Sequence, residues 1–141
     1  LDKNLDIDTS TFIFKSVKKN NTIIFHYSSN FSKIKILKKK GIILIKSRLD
    51  TKKRFNLKII LKKLFSLGIR NLLVEGGDKI TRNMLKDRLI NQFYLFESSK
   101  TLPKTRKYII FSSNNILNKN YIIKSWISSK LAKDKITIYK R

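Results

Sequence analysis

One stretch constrains this chain more than any other. Leu67-Gly68-Ile69-Arg70-Asn71-Leu72-Leu73-Val74-Glu75-Gly76-Gly77 runs straight into Asp78-Lys79-Ile80-Thr81-Arg82-Asn83-Met84-Leu85. The order reads as helix end, buried strand, glycine turn and new helix. Gly68 stands where a helix C-cap glycine belongs. Asn71 to Val74 is a short apolar run between turn signals, the pattern of a buried parallel strand. Glu75 follows at the strand's carboxyl end, and Gly76-Gly77 permits a sharp turn and a close approach. The next helix begins there, with unpaired N–H groups that favour an anion. Ligands of open α/β sheets bind at the carboxyl ends of strands, so this is the candidate site.

The flanking pattern predicts an α/β domain. Strands are expected over 21–28, 42–46, 91–97, 107–112, 121–127 and 135–139, with helices over 32–40, 56–67 and 78–89. In the 56–67 segment Leu57, Ile59, Ile60, Leu61, Leu64, Phe65 and Leu67 read as a helical stripe, with Lys58, Lys62 and Lys63 on the other face. Residues 1–8 read as the tail of a strand and a loop, and Pro103 marks another loop. The first half alternates β and α and the last third is mainly β. That order implies a mostly parallel sheet flanked by helices, with antiparallel strands toward the C-terminus. At 141 residues a single domain, 1–141, is expected.

Composition narrows the chemistry. Cysteine is absent and His26 is the only histidine, which excludes a disulfide framework, thiolate chemistry, a catalytic triad and a His- or Cys-based metal site. Between Phe25 and Tyr27, His26 reads as a strand residue. No apolar run reaches the roughly 18–20 residues needed to span a bilayer, so the cytoplasm is the expected location. The chain opens on Leu1, as a piece of a longer protein would.

The formal charge of +24 has two readings. It suits a polyanionic partner, nucleic acid or an anionic membrane surface. It is also what Lys-, Ile- and Asn-rich codon usage produces, with lysines scattered rather than gathered, and then nucleic acid would bind only non-specifically. No aromatic RNA-recognition motif is present.

Glu75 is one of two glutamates, against seven aspartates. A carboxylate there can accept from a sugar hydroxyl or an amine, or it can simply cap the turn or pair with a lysine. Lys79, Thr81, Arg82 and Asn83 in the first turns of the next helix could hold phosphate oxygens. A solvated helix face explains Lys79 and Arg82 as readily. Gly76-Gly77 is neither a GxGxxG fingerprint nor a Walker loop.

On these residues the chain resembles the C-terminal reductase domain of the bifunctional riboflavin-biosynthesis deaminase/reductase, which has a dihydrofolate-reductase-like fold. Leu1-Asp2-Lys3-Asn4-Leu5 looks like the family's LDRxL segment, and Leu64 to Gly77 is similar to its glycine-ended VEGG core. Ile90 to Phe96 resembles the strand that follows, with Asn91-Gln92 in place of an acidic pair; Ala132 to Tyr139 looks like the last strand. The resemblance implies NADPH-dependent reduction of 5-amino-6-(5-phosphoribosylamino)uracil, a phosphorylated pyrimidine. By matching position, Glu75 would contact the substrate sugar. Gly76, Gly77, Asp78, Lys79, Ile80, Thr81, Arg82 and Asn83 would hold cofactor phosphates, and Lys3 would lie near the adenosine end. A homodimer and a fused or separate deaminase are further implications. The family's N-terminal strands, with their SLDG and DDP segments, have no match here, and neither do the deaminase's HxE and PCxxC motifs. A binding module for nucleic acid or a non-catalytic remnant are the alternatives.

Overall fold

The structure is a computed structural model describing residues 1–17, 21–101, 111–128 and 134–141, with backbone only at 123, 124 and 126–128. It forms two compact units, Leu1–Arg70 and Asn71–Arg141.

The first unit contains α1 (Phe12–Lys15), β1 (Ile23–His26), α2 (Phe31–Lys39), β2 (Ile43–Lys46) and α3 (Leu57–Ser66). β1 and β2 pair in parallel, Ile23 against Ile43 through His26 against Lys46. Parallel neighbours need a crossover, and α2 supplies it. Asn30 caps α2 by accepting from the Lys33 N–H at 3.0 Å, and Asn56 caps α3 by accepting from Ile59 at 3.2 Å. Gly68 ends the α3 segment at φ +86°, the left-handed conformation expected of it. Leu5, Ile24, Leu37 and Ile42 form the core, with Phe14 and Ile34 packed against it. In α3, Leu57 and Ile60 are buried while Lys58, Lys62 and Lys63 are exposed, as the stripe predicts, but Ile59, Phe65 and the C-cap Leu67 are exposed, so the buried face is narrower than the apolar pattern.

Residues 1–8 form no strand. The Asp2 N–H donates to Phe25 O, and the Lys3 carbonyl accepts from the N–H groups of Tyr27 and Ser28, so the segment is tied beside β1. It then curls because the Asp2 carboxylate accepts from the N–H groups of Asp6 and Ile7, both at 2.9 Å. Leu5 lies inside that curl at φ +61° with its side chain buried. His26 is a buried strand residue whose Nδ1–H donates to Ser28 O at 3.1 Å.

The second unit contains α4 (Asp78–Lys86), β3 (Gln92–Glu97), α5 (Asn114–Asn120), β4 (Ile122–Ser128) and β5 (Lys135–Lys140). β5 lies between β3 and β4 and is antiparallel to both. These are the antiparallel C-terminal strands of the expected α/β fold. Leu85, Leu117, Tyr121 and Tyr139 form this core, and Phe93 and Phe111 stack beside it with centroids 5.9 Å apart. Pro103 and most of the strand expected over 107–112 lie outside the described residues.

One expected strand is absent. Asn71 to Glu75 is neither helix nor strand, and Leu73 is 80% exposed. A parallel strand exists only through the ladders on its edges. Among the described residues no ladder includes this segment.

Candidate functional site

The glycine turn does open a helix. Gly77 is the N-cap of α4, at φ −66° and ψ 167°, and offers no side-chain cap. Its carbonyl accepts from the N–H groups of Ile80 and Thr81 at 3.1 and 3.2 Å. The N–H groups of Asp78 and Lys79, the first two residues of the helix, have no acceptor among the described residues. Nothing lies within 4 Å of where a Cβ on Gly77 would be. The helix start therefore presents bare donors in open space, an arrangement that fits a phosphate.

Gly76 serves a different purpose. A Cβ there would meet the Cγ2 methyl of Ile80. Neither Gly76 nor Gly77 has a positive φ, so no left-handed turn requires the pair, and close approach requires a glycine at Gly76 alone. The closely approaching group at Gly76 is this chain's own Ile80.

The remaining residues divide in two. Glu75 and Lys79 are exposed, and neither side chain has a hydrogen-bond or ion-pair partner among the described residues. The Thr81 hydroxyl donates to Gly76 O at 3.3 Å, which ties the turn to the helix. Arg82 donates to the Asp78 carboxylate at 2.7 Å and also to the Ser112 hydroxyl. Its guanidinium is thus engaged within the chain. Asn83 is half-buried, and its carbonyl accepts from the Asp87 N–H at the helix end. Lys3 belongs to the first unit and Glu75 to Asn83 belong to the second. The Lys3 side chain is exposed.

Ser112 escaped sequence reasoning. It lies thirty residues beyond Arg82, in a Ser-Ser pair with no pattern of its own. Among the described residues no group of three His, Asp or Glu side chains could hold a metal ion. No helix among them is long and apolar enough to cross a membrane.

The family model described as RibD C-terminal domain matches residues 1–134. The chain belongs to that family. A curated relative is the riboflavin biosynthesis protein RibD of Aquifex aeolicus. It is 32% identical over 102 residues, covering 72% of this chain and 27% of the relative. Among solved structures, a pyrimidine reductase-like protein from Corynebacterium diphtheriae superposes with a TM-score of 0.69 at 16% identity. That match covers 98% of this chain and 58% of the other. The riboflavin biosynthesis reductase of Saccharomyces cerevisiae superposes with a TM-score of 0.60 at 17% identity, covering 84% of this chain and 54% of the other. At these identities the structural likeness bears on fold alone, and it agrees with a dihydrofolate-reductase-like α/β arrangement. This RibD C-terminal domain spans little more than half of either solved relative, and about a quarter of the curated one.

Proposed function

We propose that the protein carrying these residues reduces 5-amino-6-(5-phosphoribosylamino)uracil to its ribitylamino product in the cytoplasm, with NADPH as reductant. The chain is then part of a single reductase domain. The observation that carries this reading is the family match over residues 1–134, together with a carboxylate, Glu75, placed immediately before a bare helix N-terminus. NADPH, when bound, supplies the hydride that reduces C1′ of the opened, imine-like ribose; a proton on nitrogen completes the amine.

The chain's own residues bind and orient. The N–H groups of Asp78 and Lys79 would donate to phosphate oxygens, with the Lys79 ammonium adding charge. The Thr81 hydroxyl holds the turn rather than the ligand. Arg82 offsets the Asp78 carboxylate, which otherwise opposes an anion at the helix start. Glu75, unpartnered and exposed, would accept from the substrate's sugar hydroxyls. Lys3 near the adenosine end, assembly as a homodimer, and a deaminase on the same or a separate polypeptide belong to this proposal by family resemblance.

Calorimetry of NADPH binding at moderate salt, with inorganic polyphosphate as a charge control, tests the cofactor half. One-site binding that polyphosphate does not mimic is expected; indistinguishable binding of the two overturns it. Glu75→Gln in the full-length protein tests the substrate half. Turnover should fall about 10- to 100-fold if a carboxylate-assisted hydrogen bond is lost, with NADPH affinity kept. Unchanged turnover removes Glu75 from the site.

A further inference from the structure

The charge of the first unit is not evenly placed. Residues 1–70 hold eighteen Lys and Arg against four Asp and no Glu. Each aspartate is already engaged: Asp2 and Asp8 with backbone N–H groups, Asp6 with Asn4, and Asp50 with Arg54. On α2, Phe31, Lys35, Lys38 and Lys39 recur at i, i+4, i+7 and i+8, which places them along one ridge. The ridge faces solvent. Phe31 is 82% exposed and the three lysines are exposed. None of the four has an ion-pair or ring partner among the described residues. Lys33, the α2 lysine that Asp8 senses, is half-buried and off the ridge.

Helix α3 also carries three lysines and an exposed phenylalanine. There the face of Phe65 is covered by the Arg70 guanidinium, 3.9 Å from the ring centroid. Phe14 of α1 likewise has Lys40 over it at 5.5 Å. Phe31 has no such cover.

We propose that the α2 ridge of Phe31, Lys35, Lys38 and Lys39 is a sequence-tolerant binding surface for single-stranded nucleic acid. An uncovered aromatic ring is a platform for one base, and cations one helical turn apart along the same ridge follow the phosphates beside it. An anionic bilayer fits less well. A helix that lies in a membrane interface buries a whole apolar face there. The apolar face of α2, Ile34 and Leu37, is occupied by the core of the unit.

The test is fluorescence anisotropy of a labelled oligouridylate with the full chain, over a range of salt. Lys35→Glu/Lys38→Glu/Lys39→Glu is compared with Lys58→Glu/Lys62→Glu/Lys63→Glu, which makes the same charge change on α3. The α2 variant should bind at least tenfold more weakly than the α3 variant, with a salt slope smaller than the parent's by about 2, as three lost single-strand phosphate contacts require. Phe31→Ala should weaken binding about 5- to 100-fold with the slope unchanged, while Phe65→Ala should not. If circular dichroism shows that a triple variant unfolds, the milder Lys35→Gln/Lys39→Gln and Lys58→Gln/Lys62→Gln pairs make the same comparison. Equal losses from α2 and α3 variants overturn the proposal and leave diffuse charge as the cause. Phe31-dependent binding to phosphatidylserine vesicles without Phe31-dependent oligonucleotide binding also overturns it.

Discussion

Gly76 and Ile80 are in van der Waals conflict with any side chain between them: the Cγ2 methyl of Ile80 fills the position that a Cβ on Gly76 would take. Ile80 is β-branched and sits in the first turn of α4, so its methyl has few rotamers in which to withdraw. Gly76→Ala should therefore destabilise the chain by about 1–3 kcal/mol, the usual cost of overpacking. Urea unfolding measures it. Gly76→Ala/Ile80→Ala should recover part of the loss by removing the methyl.

Gly77 predicts the opposite. Its surroundings are open and its backbone is extended, so a side chain is accommodated. Gly77→Ser would place a hydroxyl at the N-cap, where it accepts from a first-turn N–H. Relative to glycine the gain should be a few tenths of a kcal/mol. If the α4 start holds cofactor phosphate, the same substitution should weaken NADPH binding several-fold. A thermal melt and a titration on one variant read both signs.

The Asp78–Arg82 pair, at 2.7 Å, joins the first and second turns of α4 and reaches Ser112. Arg82 is 41% exposed and Asp78 16%, so solvent screens the pair partly. A double-mutant cycle with Asp78→Asn and Arg82→Gln should give a coupling of about 0.5 kcal/mol, shrinking in high salt. Additive single effects would show that the pair contributes nothing to stability.

Two carboxylates contribute to the acid limb of stability. The Arg54 backbone N–H, followed by its guanidinium, holds Asp50 below its ordinary 3.8; the Ser10 backbone N–H does the same for Asp8. A carboxylate depressed in the fold stabilises it above the unfolded value and ceases to do so as pH falls through the folded value. Asp8→Asn/Asp50→Asn should thus melt below the parent at pH 7. The difference should close as the pH drops below 3.8. Parallel melting curves at all pH values would count against both contacts.

Local sequence patterns were enough wherever an element answers only to its own period. The α3 stripe of Leu57 and Ile60 against Lys58, Lys62 and Lys63 was legible because burial in a helix repeats every 3.6 residues. β1, β2, β3 and β5 were legible because β-branched and aromatic residues suit a pleated, half-buried surface. α1 and α5, four and seven residues long, went unseen because neither completes enough turns to show a period.

By itself, then, the sequence determined the helices and strands with strong periods, the glycine-bounded opening of α4, and the excess of positive charge. Tertiary structure decided what long-range partners decide. Leu72 and Leu73 look like a core strand, yet a parallel strand requires a neighbour, and apolarity does not supply one. Arg82 looked free to meet a phosphate, but Asp78 one turn back and Ser112 thirty residues on had already engaged it. Gly76 looked like room for a ligand, and Ile80 filled it. In each case the outcome turned on which atoms meet in space, which residue type and spacing along the chain do not specify.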